Sequence, residues 1–246
     1  MTQAREDLLH GILKIKQPDE NSGPRVNLDT ILLASFVKPR RREQILEIGC
    51  AHGAISLILA KRGYTVKGLD IQPHLIEMAS DNAKYNGLEE RASFIVGDLK
   101  NYKKLWEAQS FDRIVVNPPY DEANNSRRSP SDALATALHG AECTLYDVIA
   151  AARYLLKNKG YLDMVIRTNR VGELFAMLNS ANIAPKLMKP VYPRPGEMST
   201  VTLVEAMRAA SHGLRIASPL FVLDGEGNET QELLDAYRIE EGAQCL

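Results

Sequence analysis

No stretch of this chain approaches the about 18 uninterrupted apolar residues of a membrane span, so none is expected. The opening MTQAREDLLHG carries no apolar signal core, which points to a cytoplasmic protein. Cysteine is scarce: Cys50, Cys143 and Cys245 are far apart and form no CxxC pair. That spacing suggests neither a zinc site nor a disulfide framework, and no metal is expected. A global basic excess is also missing, since 30 Lys and Arg face 31 Asp and Glu for a formal charge of −1. The broad electrostatic footprint of a nucleic-acid binder is therefore absent. Charge is nonetheless uneven along the chain. Residues 153–215 hold ten Lys or Arg against four Asp or Glu, a net of +6, and residues 216–246 hold one against seven, a net of −6. Internal repeats and low-complexity linkers are lacking, and 246 residues, 45% hydrophobic, suit one globular unit with a sizeable core.

What is present is an alternation that begins at position 44. QILEIG (44–49), YTVKGLD (64–70), ASFIVGD (92–98), FDRIVVN (111–117) and YLDMVIR (161–167) read as strands. Between them, 54–63, 73–87, 143–160 and 170–182 carry apolar residues at helical spacing, with Gly63 as a C-cap and Pro73 in a first turn. APKLMKPVYP (184–193) and TVTLVEAMR (200–208), joined by a turn, read as a hairpin-like end. Repeated strand–helix units imply an α/β fold, a parallel sheet covered on both faces. Residues 1–43 stand outside the alternation as an N-terminal extension with a short helix over 28–37, and 44–246 form the main domain with its acidic tail.

Such sheets bind ligands beyond the carboxyl ends of their strands, where strand order reverses. The residues there are chemically distinctive. EIGCAHG (47–53) places Gly49 and Gly53 around small Ala51, so a ligand could approach the backbone in front of a helix N-terminus. It lacks the G-x-G-x-x-G fingerprint, which argues against NAD. Asp70, ending the second strand, could accept from both hydroxyls of a ribose or cap the following helix. Asp98 and the next amide could bracket an adenine edge or form an ordinary polar loop. Asn117-Pro118-Pro119-Tyr120 removes two N–H donors and forbids helix. The Asn117 side-chain oxygen and the Pro118 carbonyl then form two acceptors on a stiff frame, suited to a planar –NH2, and Tyr120 offers a face for stacking. These features point to an adenosine-containing cofactor and an amino-nitrogen acceptor.

The order LEIGCAHG, GLDIQP, GDL, VVNPPY resembles class I S-adenosylmethionine-dependent methyltransferases that act on exocyclic or amide nitrogens. The resemblance implies a Rossmann-like, seven-stranded, mostly parallel sheet with helices on both faces and a C-terminal antiparallel hairpin. LLHGILKIKQP…GPRVNLDTILLASFV, the segment from Cys143 to about Gly196, and SPLFVLDGEGNETQEL extend it to the bacterial valine-tRNA (adenine-N6) methyltransferase family over nearly the whole chain. It implies that Glu47, Gly49 and Gly53 line the methionine end of S-adenosyl-L-methionine, that Asp70 binds its ribose and Asp98 with Leu99 its adenine, and that Ala51, Ile71 and Asn117 also border the cofactor. Asn117 and Pro118 would accept from the target amine, with Pro119 stiffening the frame and Tyr120 stacking on the base. Asn27 and Asp29 would close over the pocket. The substrate implied is a tRNA adenosine beside the anticodon, reached through a local basic face drawn from residues 38–42, Arg127, Arg128, Arg167, Arg170, Lys186, Lys189 and Arg194. His52 reads as an exposed turn residue. Two departures from the family pattern are Ala51 for a glycine and Leu138-His139-Gly140 where an Arg-His-Glu-like cluster is usual. Alternatives are a protein-glutamine N5 methyltransferase, since a carboxamide also presents a planar –NH2, and a non-catalytic cofactor-binding protein.

Overall fold

The computed structural model describes residues 4–19, 23–118 and 143–239. Five strands run parallel: β3 (Gln44–Ile48), β4 (Thr65–Asp70), β5 (Ala92–Val96), β6 (Phe111–Val116) and β7 (Leu156–Arg167). β8 (Ile183–Tyr192) and β9 (Val201–Arg208) form the expected hairpin, with β9 antiparallel to both β7 and β8. The order across the sheet is β5-β4-β3-β6-β7-β9-β8. Strand order therefore reverses between β3 and β6, which defines the ligand-binding crevice of such sheets.

Inward-facing side chains alternate between two cores, the period-2 signature of strands buried on both faces. Ile45, Val115, Val165 and Leu203 face one core, packed under α1 (Leu28–Phe36) and α2 (Ala54–Lys61). Leu46, Ile114, Met164 and Val204 face the other, under α5 (Leu145–Leu155) and α6 (Val171–Ser180). α3 (Pro73–Tyr85) opens on proline, whose missing N–H is harmless in a first turn, and a short α4 (Tyr102–Leu105) follows β5. α5 begins with a capping box in which Thr144 and Asp147 satisfy each other's backbone amides.

The fold differs from the expectation in three places. The helix expected to reach Gly160 stops at Leu155, and β7 starts at once with Leu156 paired to Phe111. Both of these side chains are buried, and Lys157 Nζ sits 2.8 Å from an Asp112 carboxylate oxygen, so tertiary pairing overrides local helical spacing. Second, the seven expected strands are joined by two short ones among the described residues, β10 (Arg215–Ile216) and β11 (Leu220–Phe221) from the C-terminal segment, both parallel to β8. α7 (Gln231–Ala236) then buries Leu233 and Ala236 in the first core. Third, the N-terminal extension carries a hairpin, β1 (Glu6–Leu8) and β2 (Leu13–Ile15), as well as the expected helix. Leu8, Leu13 and Ile15 are buried in the same core as α1.

Candidate active site

The turn after β3 is tied to β4. The Gly49 and Cys50 amides both donate to the Leu69 carbonyl, at 2.8 and 3.0 Å. Gly49, Ala51 and Gly53 then take φ of +69°, +48° and +88° to turn the chain back into α2. The two glycines serve different ends. A Cβ at Gly53 would stand 2.9 Å from the Phe94 ring and 3.1 Å from Ala79, so packing against β5 and α3 requires the glycine. A Cβ at Gly49 would meet nothing within 4 Å. Gly49 thus leaves an open cradle at the sheet edge, beside the reversal of strand order.

Asp70 closes β4 with a nearly buried carboxylate. Its Oδ2 accepts from the Ala51 amide at 2.9 Å and its Oδ1 from the Gln72 amide at 3.0 Å. Each oxygen keeps a further lone pair, so a carboxylate already oriented by the backbone could still accept from a diol. Glu47, one residue before the end of β3, is buried, and its Oε2 accepts from both the Ser56 amide (2.8 Å) and the Ser56 hydroxyl. Burial pushes its carboxyl up to about 8, the Ser56 hydrogen bonds opposing the shift only in part. The side chain is therefore committed on one oxygen to the first turn of α2.

On the β5 side, the Gly97 amide donates to the Asp70 carbonyl at 2.9 Å and binds the two strand ends together. Ile71 is 41% exposed and Val96 48% exposed, leaving two apolar side chains bare at neighbouring strand ends. Val96 was not singled out from the sequence; its signal is an apolar residue just before Gly-Asp at a strand end. Asp98 Oδ1 accepts from the Lys100 amide at 2.9 Å, and the Leu99 side chain is buried in the second core. Only the backbone of Leu99 can therefore present polar atoms to a ligand.

Ile48 pairs with Val116, so Gly49 and Asn117 leave adjacent strands side by side. Asn117 and Pro118 are both half-buried. Pro119 and Tyr120 lie outside the described residues, as do Arg127, Arg128 and Leu138-His139-Gly140.

Other expectations change. His52 is buried, not exposed, and neither ring nitrogen has a hydrogen-bond partner among the described residues. Burial lowers its pKa to about 4, leaving a neutral ring at ordinary pH. Asn27 caps α1 through its side-chain oxygen on the Thr30 amide at 3.0 Å, a structural post. Lys189 is paired with Glu232, and Arg170 with Glu173 at 3.0 Å. Residues 38–42 precede β3 and so lie at the sheet edge opposite the crevice. Asn82, not anticipated from the sequence, is fully buried on α3. Its amide nitrogen donates to the carbonyls of His52 (3.0 Å) and Lys16 (2.9 Å), while its oxygen accepts from the Lys16 amide (2.7 Å) and Arg5 (2.9 Å). One side chain thus joins the glycine turn, α3 and the segment after β2. Its sequence signal was an amide on the apolar face of a helix, in step with Leu75 and Ala79.

The open cradle at Gly49, the amide-held carboxylate of Asp70 and the bare Ile71 and Val96 together offer the space, the polar acceptor and the apolar cover that S-adenosylmethionine requires. A tRNA1(Val) (adenine(37)-N6)-methyltransferase of Aeromonas hydrophila is 27% identical over 187 residues, covering 75% of this chain and 77% of that protein. One from Bacteroides fragilis is 25% identical over 181 residues, covering 73% and 76%. In three dimensions, a predicted O-methyltransferase from Agrobacterium tumefaciens superposes with a TM-score of 0.69 at 21% identity, over 85% of this chain and 96% of that one, which shows a shared fold. A family model described as a methyltransferase domain matches residues 40–192. The chain belongs to that methyltransferase-domain family and is an S-adenosylmethionine-dependent methyltransferase.

Proposed function

We propose that the chain methylates the exocyclic N6 amine of an adenine in RNA, the tRNA adenosine beside the anticodon, and does so in the cytoplasm. The carrying observation is that Asn117-Pro118 leaves β6 directly beside the open turn at Gly49. The names of the tRNA-modifying relatives support the choice of substrate. Bound there, S-adenosylmethionine supplies an electrophilic methyl on a sulfonium. Asp70 would hold the ribose hydroxyls, and Ile71 and Val96 would cover the adenine, with Asp98 and the Leu99 backbone at its edge. Glu47, Gly49, Ala51 and Gly53 would shape the methionyl end.

Asn117 Oδ1 and the Pro118 carbonyl would accept the two hydrogens of the target amine. That turns the nitrogen lone pair toward the methyl and stabilises the positive charge that grows on nitrogen. One proton would pass from the nitrogen to water after transfer, so no strong base is required. Tyr120, behind Pro119, would stack on the flipped base.

Incubation with labelled S-adenosylmethionine and either total tRNA or a release factor tests this reading. Label in N6-methyladenosine is expected. Label confined to protein glutamine would replace it with the amide-directed alternative, and cofactor binding without transfer to either would favour a binding protein.

A further inference from the structure

A groove of about 800 Å³ lies between α4, α5 and α6, on the face of the second core. It runs from Tyr146, in the first turn of α5, to Arg208, the last residue of β9. Because β9 is antiparallel to β7, the groove leads from the crevice edge of the sheet to the opposite edge. It contains none of the strand-end residues described above.

Its lining has an unusual composition. Three tyrosines (Tyr102, Tyr146, Tyr154) and three cations (Lys103, Arg153, Arg208) line it together with Ile149, Met177 and several alanines, and no Asp or Glu takes part. The rings of Tyr102 and Tyr154 are 5.3 Å apart, and Lys103 Nζ lies 5.8 Å from each ring centre. Tyr146 is 70% exposed. Arg208 donates to Asn158 at 2.8 Å, a neutral partner, and Lys103 and Arg153 form no ion pair among the described residues. In a chain of formal charge −1, three cations without carboxylates around aromatic faces call for an anionic ligand that also has faces to stack. Inorganic phosphate would leave the tyrosines unused, and an acidic peptide offers a stacking face only at an occasional aromatic side chain, whereas every nucleotide carries one. Single-stranded RNA meets both demands, with phosphates for the cations and bases for the rings.

We propose that this groove binds unpaired nucleotides of the RNA substrate, away from the adenine being methylated. The proposal rests on the RNA reading of the active site and extends it with a second contact that holds the RNA across the sheet.

The test compares the wild-type chain with Lys103→Ala/Arg153→Ala and with Tyr146→Ala, all at exposed positions and each checked for an unchanged melting temperature. Methylation of total tRNA and its dependence on salt are measured, with S-adenosylhomocysteine affinity as a control. The double variant is expected to raise the KM for tRNA at least tenfold at unchanged kcat and unchanged S-adenosylhomocysteine affinity. The slope of log affinity against log salt should become shallower by about 1.4, at about 0.7 per single-strand phosphate contact. Tyr146→Ala is expected to raise KM several-fold with the slope unchanged. Wild-type methylation of tRNA with unaltered KM and slope in the double variant overturns the groove proposal while the active-site reading stands. A wild-type chain that neither binds nor methylates tRNA overturns both. Transfer to a protein substrate that the double variant weakens assigns the groove to a protein partner and overturns it as an RNA site.

Discussion

Gly49 and Gly53 stand four positions apart in one turn, yet alanine at the two positions has different consequences. Gly53→Ala combines a left-handed backbone with a Cβ driven into Phe94 and Ala79. It should destabilise the fold by roughly 2–5 kcal/mol, the sum of the backbone penalty and overpacking, seen as a lower midpoint in denaturant. Gly49→Ala meets only the backbone term, about 1–2 kcal/mol, because its methyl enters the open cradle. Its larger effect should be weaker S-adenosylhomocysteine binding by calorimetry, and undiminished affinity would remove Gly49 from the cofactor site. Asn117→Ala is expected to bind cofactor normally and to lose about 10²–10³-fold in turnover, the range for deleting a positioned polar group at a reacting centre. Near-normal turnover would contradict the acceptor role.

Among the elements, the parallel strands and their ends were legible in the sequence, because continuous apolar runs closed by Gly, Asp or Asn-Pro have few other structural meanings. The break at Leu155 was not, since the pairing of Leu156 with Phe111 that starts the strand is made with a segment more than forty residues away. Nor was the post of Asn82, whose four hydrogen bonds run to three separate parts of the chain. Asn82→Leu would leave the Lys16 amide and two carbonyls without that partner and should destabilise the fold by about 3 kcal/mol or more. Because one of those bonds holds the glycine turn, cofactor affinity should fall along with the melting temperature. A variant with wild-type affinity would show that the turn holds its shape unaided. His52 escaped the sequence reading for a related reason: a histidine flanked by small residues in a turn looks exposed until a second segment is laid over it.

For the molecule as a whole, the buried His52 and Glu47 shape stability against pH with opposite signs. His52 has its folded pKa lowered from 6.5 to about 4, so its contribution is present above pH 6.5 and lost as pH falls through 4. Glu47 has its folded pKa raised from 4.5 to about 8, so its contribution is full below pH 4.5 and lost as pH rises through 8. The two slopes oppose each other between pH 4.5 and 6.5, and Glu47 acts without that opposition from 6.5 to 8. Glu47→Gln keeps an acceptor for Ser56 and should remove a decline of at most about 1.4 kcal/mol per pH unit. Urea melts from pH 5 to 8 on both proteins check this, and parallel curves would place the Glu47 carboxyl near its ordinary range. Removing residues 214 onward should lower the melting temperature and promote self-association, because α7 leaves the core and the outer edge of β8 is bared. A truncated chain that sediments in the same oligomeric state as the full chain would show that β8 needs no cover.

The same edge has a temporal consequence during synthesis. β11 follows β8 by 29 residues, counted from Tyr192 to Phe221. At about 5–20 residues per second, translation delivers the covering strands roughly 1.5–6 seconds after β8. A nascent chain thus carries an unpaired strand edge for seconds, long compared with the roughly 1–10 microseconds in which a hairpin forms. Crowded translation of one message, where neighbouring ribosomes hold identical unfinished edges close together, is the situation in which this protein is most open to mispairing.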